Sequence, residues 1–213
     1  MELTIIGTGN MGRAIATRAL AGGHTVTLYS HQPGDADALA QDLDAEARAT
    51  IGTGQAGDPL RGDVVVLAIP YAAAEDVIGG YGEALAGKVV IDITNPVDFA
   101  TFDRLATPPD SSAAEEIQRM AGPDVRVVKA FNTTFAGTLL NGTVGGQPLD
   151  VLIASDDQDA KDTVARLAAD GGLRAIDAGP LRRARQLEHA GFLHMTLQQS
   201  LGTGFGSALK FLG

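Results

Sequence analysis

Glu2-Leu3-Thr4-Ile5-Ile6-Gly7-Thr8-Gly9-Asn10-Met11-Gly12-Arg13-Ala14-Ile15 joins an apolar run, a glycine-rich turn and the start of a mixed, Ala-rich segment without a spacer. A strand that feeds straight into Gly-x-Gly-x-x-Gly and then a helix forms a phosphate-binding turn, because each glycine has its own task. Gly7 permits the tight turn, Gly9 lets backbone approach a pyrophosphate, and Gly12 lets the helix pack close on the strand. The unpaired N–H groups and the positive end of the helix then attract the anion. Gly7, Thr8, Gly9, Asn10, Met11 and Gly12 are therefore the first candidate binding residues.

Downstream, the same alternation repeats. Apolar runs at Leu3 to Ile6, Thr25 to Tyr29, Val64 to Ile69, Val89 to Ile93, Val125 to Ala130 and Val151 to Ala154 are separated by longer, Ala-rich segments. Short Val, Ile and Leu runs between helical stretches predict βαβ units around a parallel sheet covered on both faces. Helices are predicted over Met11 to Ala21, Asp35 to Asp44, Ser112 to Met120 and Asp156 to Ala169, the third opened by a capping pattern from Ser112 to Glu115. The predicted fold is α/β, a Rossmann doubly wound parallel sheet with a small C-terminal α/β subdomain. Asn141 to Pro148 is the most loop-like stretch of the second half, which divides the chain into a nucleotide-binding domain at 1–142 and a subdomain at 143–213. The strand that follows can still join the main sheet.

Composition narrows the function. With 16 Lys+Arg against 26 Asp+Glu the formal charge is −10, a field that repels nucleic-acid backbones and anionic lipid surfaces. No segment approaches the ~20 apolar residues of a membrane span. No basic leader precedes the first strand, so a cytoplasmic location is expected. The absence of Cys removes thiolate nucleophiles, disulfides and Cys-type metal sites. Redox work would need a bound cofactor.

The end of the second strand selects the dinucleotide. An NAD site carries an acid there for the ribose hydroxyls; this chain has Ser30 followed by His31. No carboxylate repels a 2′-phosphate, and Thr8, Ser30 and His31 can donate hydrogen bonds to one, so the sequence points to NADP. No Arg or Lys stands beside His31 to form a bidentate clamp. Ligands in open sheets of this kind lie beyond the carboxyl ends of the strands. The later ends are Ala68-Ile69-Pro70-Tyr71, Thr94-Asn95-Pro96 and Ala130-Phe131-Asn132-Thr133. Each joins apolar or backbone surface to at most one polar side chain, which suits a flat nicotinamide ring. Asn-Pro and Ile-Pro also end strands for purely conformational reasons.

Other chemistries find no support. The four histidines are His24, His31, His189 and His194, and the last two stand five apart, off a common helix face, so no metal site is expected. No Gly-x-Ser-x-Gly elbow is present for a hydrolase triad, and the carboxylates are scattered. No catalytic side chain is assigned. Direct hydride transfer between two rings held in a dry pocket remains.

Gly7 to Gly12, Ser30, Ala68-Ile69-Pro70, Lys129-Ala130-Phe131-Asn132-Thr133, Asp177-Ala178-Gly179-Pro180-Leu181 with Arg185 and Glu188, and Gly206 to Leu212 together resemble the NADPH:coenzyme F420 oxidoreductase family. The resemblance runs nearly end to end. The nucleotide-binding domain of membrane-bound metalloreductases is similar in the same motifs. The resemblance implies a homodimer in which nicotinamide meets a deazaflavin, coenzyme F420, across a cleft. It implies that Thr8, Gly9, Asn10, Met11, Ser30 and His31 hold the NADP adenosine and phosphates, and that Ile69, Tyr71, Asn95 and Ala136 lie near ribose and nicotinamide. Two positions depart: well-known members carry His at Asn132 and Arg at His31. A related enzyme reducing FAD, FMN or another small-molecule redox co-substrate would keep everything else.

Arg182, Arg183 and Arg185 could hold the phosphodiester and oligoglutamate tail of a deazaflavin, or be surface charge with a local Arg185 to Glu188 pair. Leu187, Gly191, His194, Leu197 and Leu201 make a helical stripe suited to core or dimer interface. Two rival readings stand. One is an NADPH-dependent dehydrogenase of a small substrate, because Gly202-Thr203-Gly204-Phe205-Gly206 before Lys210 is similar to the β-hydroxyacid class. The other is a protein that binds NADPH without turnover.

Overall fold

The computed structural model describes residues 1–47 and 51–212. Strands β1 (Glu2–Ile6), β2 (Thr25–Ser30), β3 (Gly52–Gln55), β4 (Val64–Leu67), β5 (Val89–Asp92), β6 (Arg126–Lys129), β9 (Asp150–Ala154) and β10 (Arg174–Gly179) form one sheet in the order β10-β9-β6-β5-β4-β1-β2-β3. The pairs from β3 across to β6 are all parallel. β1 sits between β2 and β4, so the strand order reverses beside the glycine turn, where open sheets leave a crevice.

Both faces are covered, as the continuous apolar runs require. Leu3, Ile5, Val26, Leu28, Val64 and Val66 pack with Ala14, Ile15, Leu39 and Val164 of helices α1 (Asn10–Ala21), α2 (Asp35–Ala47) and α6 (Gln158–Asp170). Ile6, Val65, Leu67 and Val90 face the other way, onto Ala74, Ile78, Ile117 and Ala184 of α3 (Ala74–Tyr81), α4 (Ala113–Ala121) and α7 (Ala184–Thr196).

The expected helices form, with ends set by their caps. Ser112 accepts from the Glu115 N–H at 3.2 Å and donates its hydroxyl to the Glu115 carboxylate at 2.8 Å, so α4 begins at Ala113. Asp157 accepts from the Ala160 N–H at 2.7 Å and moves the start of α6 to Gln158, two residues after the predicted Asp156. β3 and β10 escape the sequence pattern for one reason. They are the edge strands, each paired along one side only and without a fully buried residue, so Gly-Thr-Gly-Gln and Arg-Ala-Ile-Asp-Ala-Gly need no apolar run.

After β6 comes the short helix α5 (Ala136–Asn141), and then, inside the Asn141 to Pro148 stretch expected to be loop, a hairpin of β7 (Thr143–Val144) and β8 (Gln147–Pro148). The chain then enters β9, which pairs in parallel with β10 and meets β6 at a single bridge, Lys129 opposite Ala154, of antiparallel type. The second half thus extends the first half's sheet. A last short helix, α8 (Gln198–Leu201), leads into a tail that Lys210 fastens to β9 through the Asp150 carboxylate and the Pro148 carbonyl.

Candidate functional site

The glycine turn is fixed by sterics. Gly7 adopts φ +112°, and a Cβ there would lie 2.1 Å from the Ala68 carbonyl oxygen. A Cβ on Gly12 would lie 2.0 Å from the Gly7 carbonyl oxygen, so helix and turn can approach this closely only without a side chain. Gly9 faces open space and precedes a first helical turn that has neither a side-chain cap nor an acidic residue. α1 therefore presents unpaired N–H groups outward, the arrangement that binds phosphate.

Beyond this turn opens a cavity of about 500 Å³. It brings together Gly7, Thr8, Gly9, Ser30, His31, Ala68, Ile69 and Pro70, and adds Tyr29, Asp35, Ala56 and Val77, which the sequence reading did not single out. Asn10 and Met11 open α1 next to it. The Ser30 oxygen accepts from the Gln32 N–H at 3.1 Å and lies 3.4 Å from the Thr8 hydroxyl. Its own proton remains available to a ligand. No Lys or Arg among the described residues lines the cavity; His31 is its potential cation and Asp35 its carboxylate.

Further along the carboxyl edge, the ends of β5 and β6 build a different surface. Phe131 takes φ +62°, a left-handed turn that costs an L-residue ~1–2 kcal/mol and is held here by complete burial of the ring. The turn brings Asn132 against Asn95. Asn95 Nδ2 donates to the Asn132 carbonyl at 2.7 Å, and Asn132 Nδ2 donates to Asn95 Oδ1 and to the Leu187 carbonyl, both at 2.9 Å. These two acceptors settle the orientation of the Asn132 amide and leave its buried Oδ1 without a donor. A Cβ on Gly191 would lie 2.8 Å from Asn95 Oδ1 and 2.9 Å from the Asn132 carbonyl, so α7 rests directly on the pair.

Beneath the pair lies a charged cluster that the sequence reading missed. Lys129, 0% exposed, donates to Asp92 Oδ2 at 2.8 Å, to Glu188 Oε1 at 2.8 Å and to the Thr94 carbonyl at 2.5 Å, using all three of its protons. Asp92 also accepts from the Thr94 N–H, and Glu188 from the Ala113 N–H at the start of α4. Burial holds the Glu188 carboxyl above the ordinary carboxylate range against the pull of Lys129, with Asp92 adding to the rise. Tyr71 is raised too, by burial first and then by Glu116, Glu188 and Asp92. A signal existed. Asp92 and Lys129 each follow buried Val or Ile residues inside a predicted strand run, and charges of opposite sign inside buried strands require one another.

Of the two alternatives for the basic cluster, the local Arg185 to Glu188 pair does not form: Arg185 grips Glu115 with two bonds of 2.6 and 2.8 Å, while Glu188 turns inward to Lys129. Burial decided it, since the inward face of α7 carries Leu187, Glu188, Gly191 and His194. Of the predicted stripe, Leu187, Gly191 and His194 are buried, while Leu197 and Leu201 are exposed. Arg182 and Arg183 are exposed as well. Tyr71 and Ala136 begin the segments after β4 and β6, outside the cavity.

Residues 2–96 match the family described as NADP oxidoreductase, coenzyme F420-dependent. The chain is 35% identical to the F420-dependent NADP reductase of Methanothermobacter marburgensis over 88% of both chains. It is 32% identical to the F420-dependent NADP reductase of Methanocaldococcus jannaschii, again over 88% of each. Among solved structures, a proposed F420-dependent NADP reductase from Arthrobacter sp. FB24 superimposes with a TM-score of 0.84 and 27% identity, over 99% of both chains.

Proposed function

The chain belongs to the coenzyme F420-dependent NADP oxidoreductase family, and from that premise we propose that it transfers a hydride between NADP(H) and coenzyme F420 or a related flavin-type acceptor. In the direction of deazaflavin reduction, NADPH, a proton and the oxidised acceptor give NADP⁺ and the reduced acceptor. The nicotinamide and the deazaflavin supply the redox chemistry, and the protein binds, orients and dries the two rings.

The observation that carries this reading is the uncapped first turn of α1 opening on the 500 Å³ cavity, with Ser30 where an NAD site would set a carboxylate. Thr8, Gly9, Asn10, Met11, Ser30 and His31 are proposed to hold the phosphates and adenosine. Ala68, Ile69, Pro70, Tyr71, Asn95, Asn132 and Ala136 are proposed to form the ribose and nicotinamide end. The buried, unpaired Asn132 Oδ1 is the kind of acceptor a carboxamide N–H satisfies. No catalytic acid or base is assigned, since a hydride passes directly from ring to ring.

The proposed division keeps 1–142 as the nucleotide-binding half and 143–213 as the smaller half. A cytoplasmic homodimer is the proposed working form; the exposed Leu193, Leu197, Leu201 and Phe205 supply apolar surface for pairing. Lys210 is engaged by Asp150, which takes away the free amine that the β-hydroxyacid reading needs.

The test is optical. Mixing the protein with NADPH and oxidised F420 bleaches the visible band of the deazaflavin and consumes NADPH in equal amount. NADPH oxidation by FAD or FMN alone reassigns the acceptor. Tight NADPH binding with no acceptor reduced makes the protein a binder and overturns the proposed activity.

A further inference from the structure

Lys129 stands where three separately coded pieces of chain meet. It ends β6, Asp92 ends β5, and Glu188 comes from α7, 59 positions further on by the numbering. Each acceptor of the Lys129 ammonium belongs to a segment that touches the asparagine pair. The Thr94 carbonyl immediately precedes Asn95, and Asp92 fixes that carbonyl's own residue through the Thr94 N–H. Glu188 follows Leu187, whose carbonyl holds Asn132 Nδ2 at 2.9 Å. Lys129 lies three residues before Asn132, across the left-handed Phe131. The carboxylate in excess is met by backbone N–H groups at the start of α4, so each charged member of the cluster is partnered.

A purely stabilising role is a poor account of this investment. Buried ion clusters add little stability over a well-packed apolar core, and in some proteins they specify a unique arrangement of the groups they join. Here the segments joined, the ends of β5 and β6 and the inward face of α7, carry and flank the two amides at the proposed nicotinamide end.

We propose that Lys129 is a positioning residue: caged by Asp92, Glu188 and the Thr94 carbonyl, it fixes the Asn95–Asn132 pair against α7 and thereby sets the placement of the nicotinamide ring for hydride transfer. The role rests on the NADP-dependent hydride transfer proposed above. Adenosine binding lies elsewhere on the edge, so the cluster governs rate and ring orientation while leaving most of the nucleotide's affinity in place.

Lys129→Met in the full chain tests this, with NADPH affinity, hydride-transfer rate at saturating NADPH and the face of the nicotinamide used all measured on folded protein. NADPH deuterated on one face reports the last quantity, which a loss of stability alone does not change. Affinity is expected to hold within about threefold while the rate falls about 100-fold, as misplacement by an ångström produces, and deuterium begins to transfer from the wrong face. Should Lys129→Met not fold, Gly191→Ala displaces the same pair without touching a charge, and the same separation is expected at about tenfold in rate. A folded variant that keeps the parent rate and face selection overturns the positioning role alone. Failure of the unaltered protein to reduce any deazaflavin or flavin overturns the functional reading instead.

Discussion

The two ends of the proposed site are built by opposite means. At the turn after β1 the proposed binding surface is backbone, shaped by the absence of side chains at Gly7, Gly9 and Gly12 and lined, among the described residues, by one potential cation, His31. At the ends of β5 and β6 it is an amide pair held by a fully buried ionic cluster with a member from α7. The first end depends on local geometry that neighbouring residues define, and the second on electrostatic contacts between distant segments. Damage to either should therefore leave the other largely intact.

The largest expected effect is at the second end. Glu188→Ala removes one wall of the Lys129 cage and strips the start of α4 of its acceptor, an expected loss of about 3–5 kcal/mol in urea unfolding. Glu188→Gln keeps one oxygen for Lys129 but turns an amide NH2 toward the Ala113 N–H, so it should lose less than Glu188→Ala and still show a loss. An equal loss from both would show that a single oxygen facing Lys129 does not hold the cluster.

Gly7→Ala attacks the first end. Its Cβ would meet the Ala68 carbonyl oxygen at 2.1 Å with φ at +112°, so a cost of about 3 kcal/mol and loss of NADPH binding by calorimetry are expected. The Asn95–Asn132 pair should be untouched. NADPH binding at the parent affinity would remove the glycine turn from the nucleotide site.

A smaller, selective effect is expected from Ser30→Asp. A carboxylate beside His31 faces the 2′-phosphate, and the preference for NADPH over NADH should fall about tenfold, or roughly 1.4 kcal/mol. Steady-state kinetics with both nucleotides measures it, and unchanged selectivity would move the adenosine pocket elsewhere.

The smallest effect is a pH dependence at His194 on α7. Burial holds the His194 imidazole below its ordinary 6.5, opposed by the Thr133 carbonyl. Its ring stacks on Phe135 with centroids 4.3 Å apart, and Nε2 meets the Ser207 hydroxyl at 2.9 Å. The folded state resists the proton that the unfolded chain accepts. His194's contribution to stability is therefore complete above 6.5 and declines as pH falls from there toward the depressed folded value. The slope is at most about 1.4 kcal/mol per pH unit. Denaturation across that range should show it in the parent chain and lose that component in His194→Gln.

Sequence alone determined the central strands, helices α1, α2, α4 and α6, the glycine turn and the choice of Ser30 over an acid, because each is written in residues that are neighbours along the chain; α3, which follows β4, was not legible there. Periodicity exposes a strand buried on both faces, and steric need exposes a glycine. Only the tertiary structure decided that Glu188 leaves Arg185 for Lys129, that Arg185 takes Glu115, and that β3 and β10 join the sheet as edges. A charge chooses its partner by distance and desolvation in three dimensions, and an edge strand owes its conformation to the hydrogen bonds its neighbour offers. Neither quantity exists until the chain has folded.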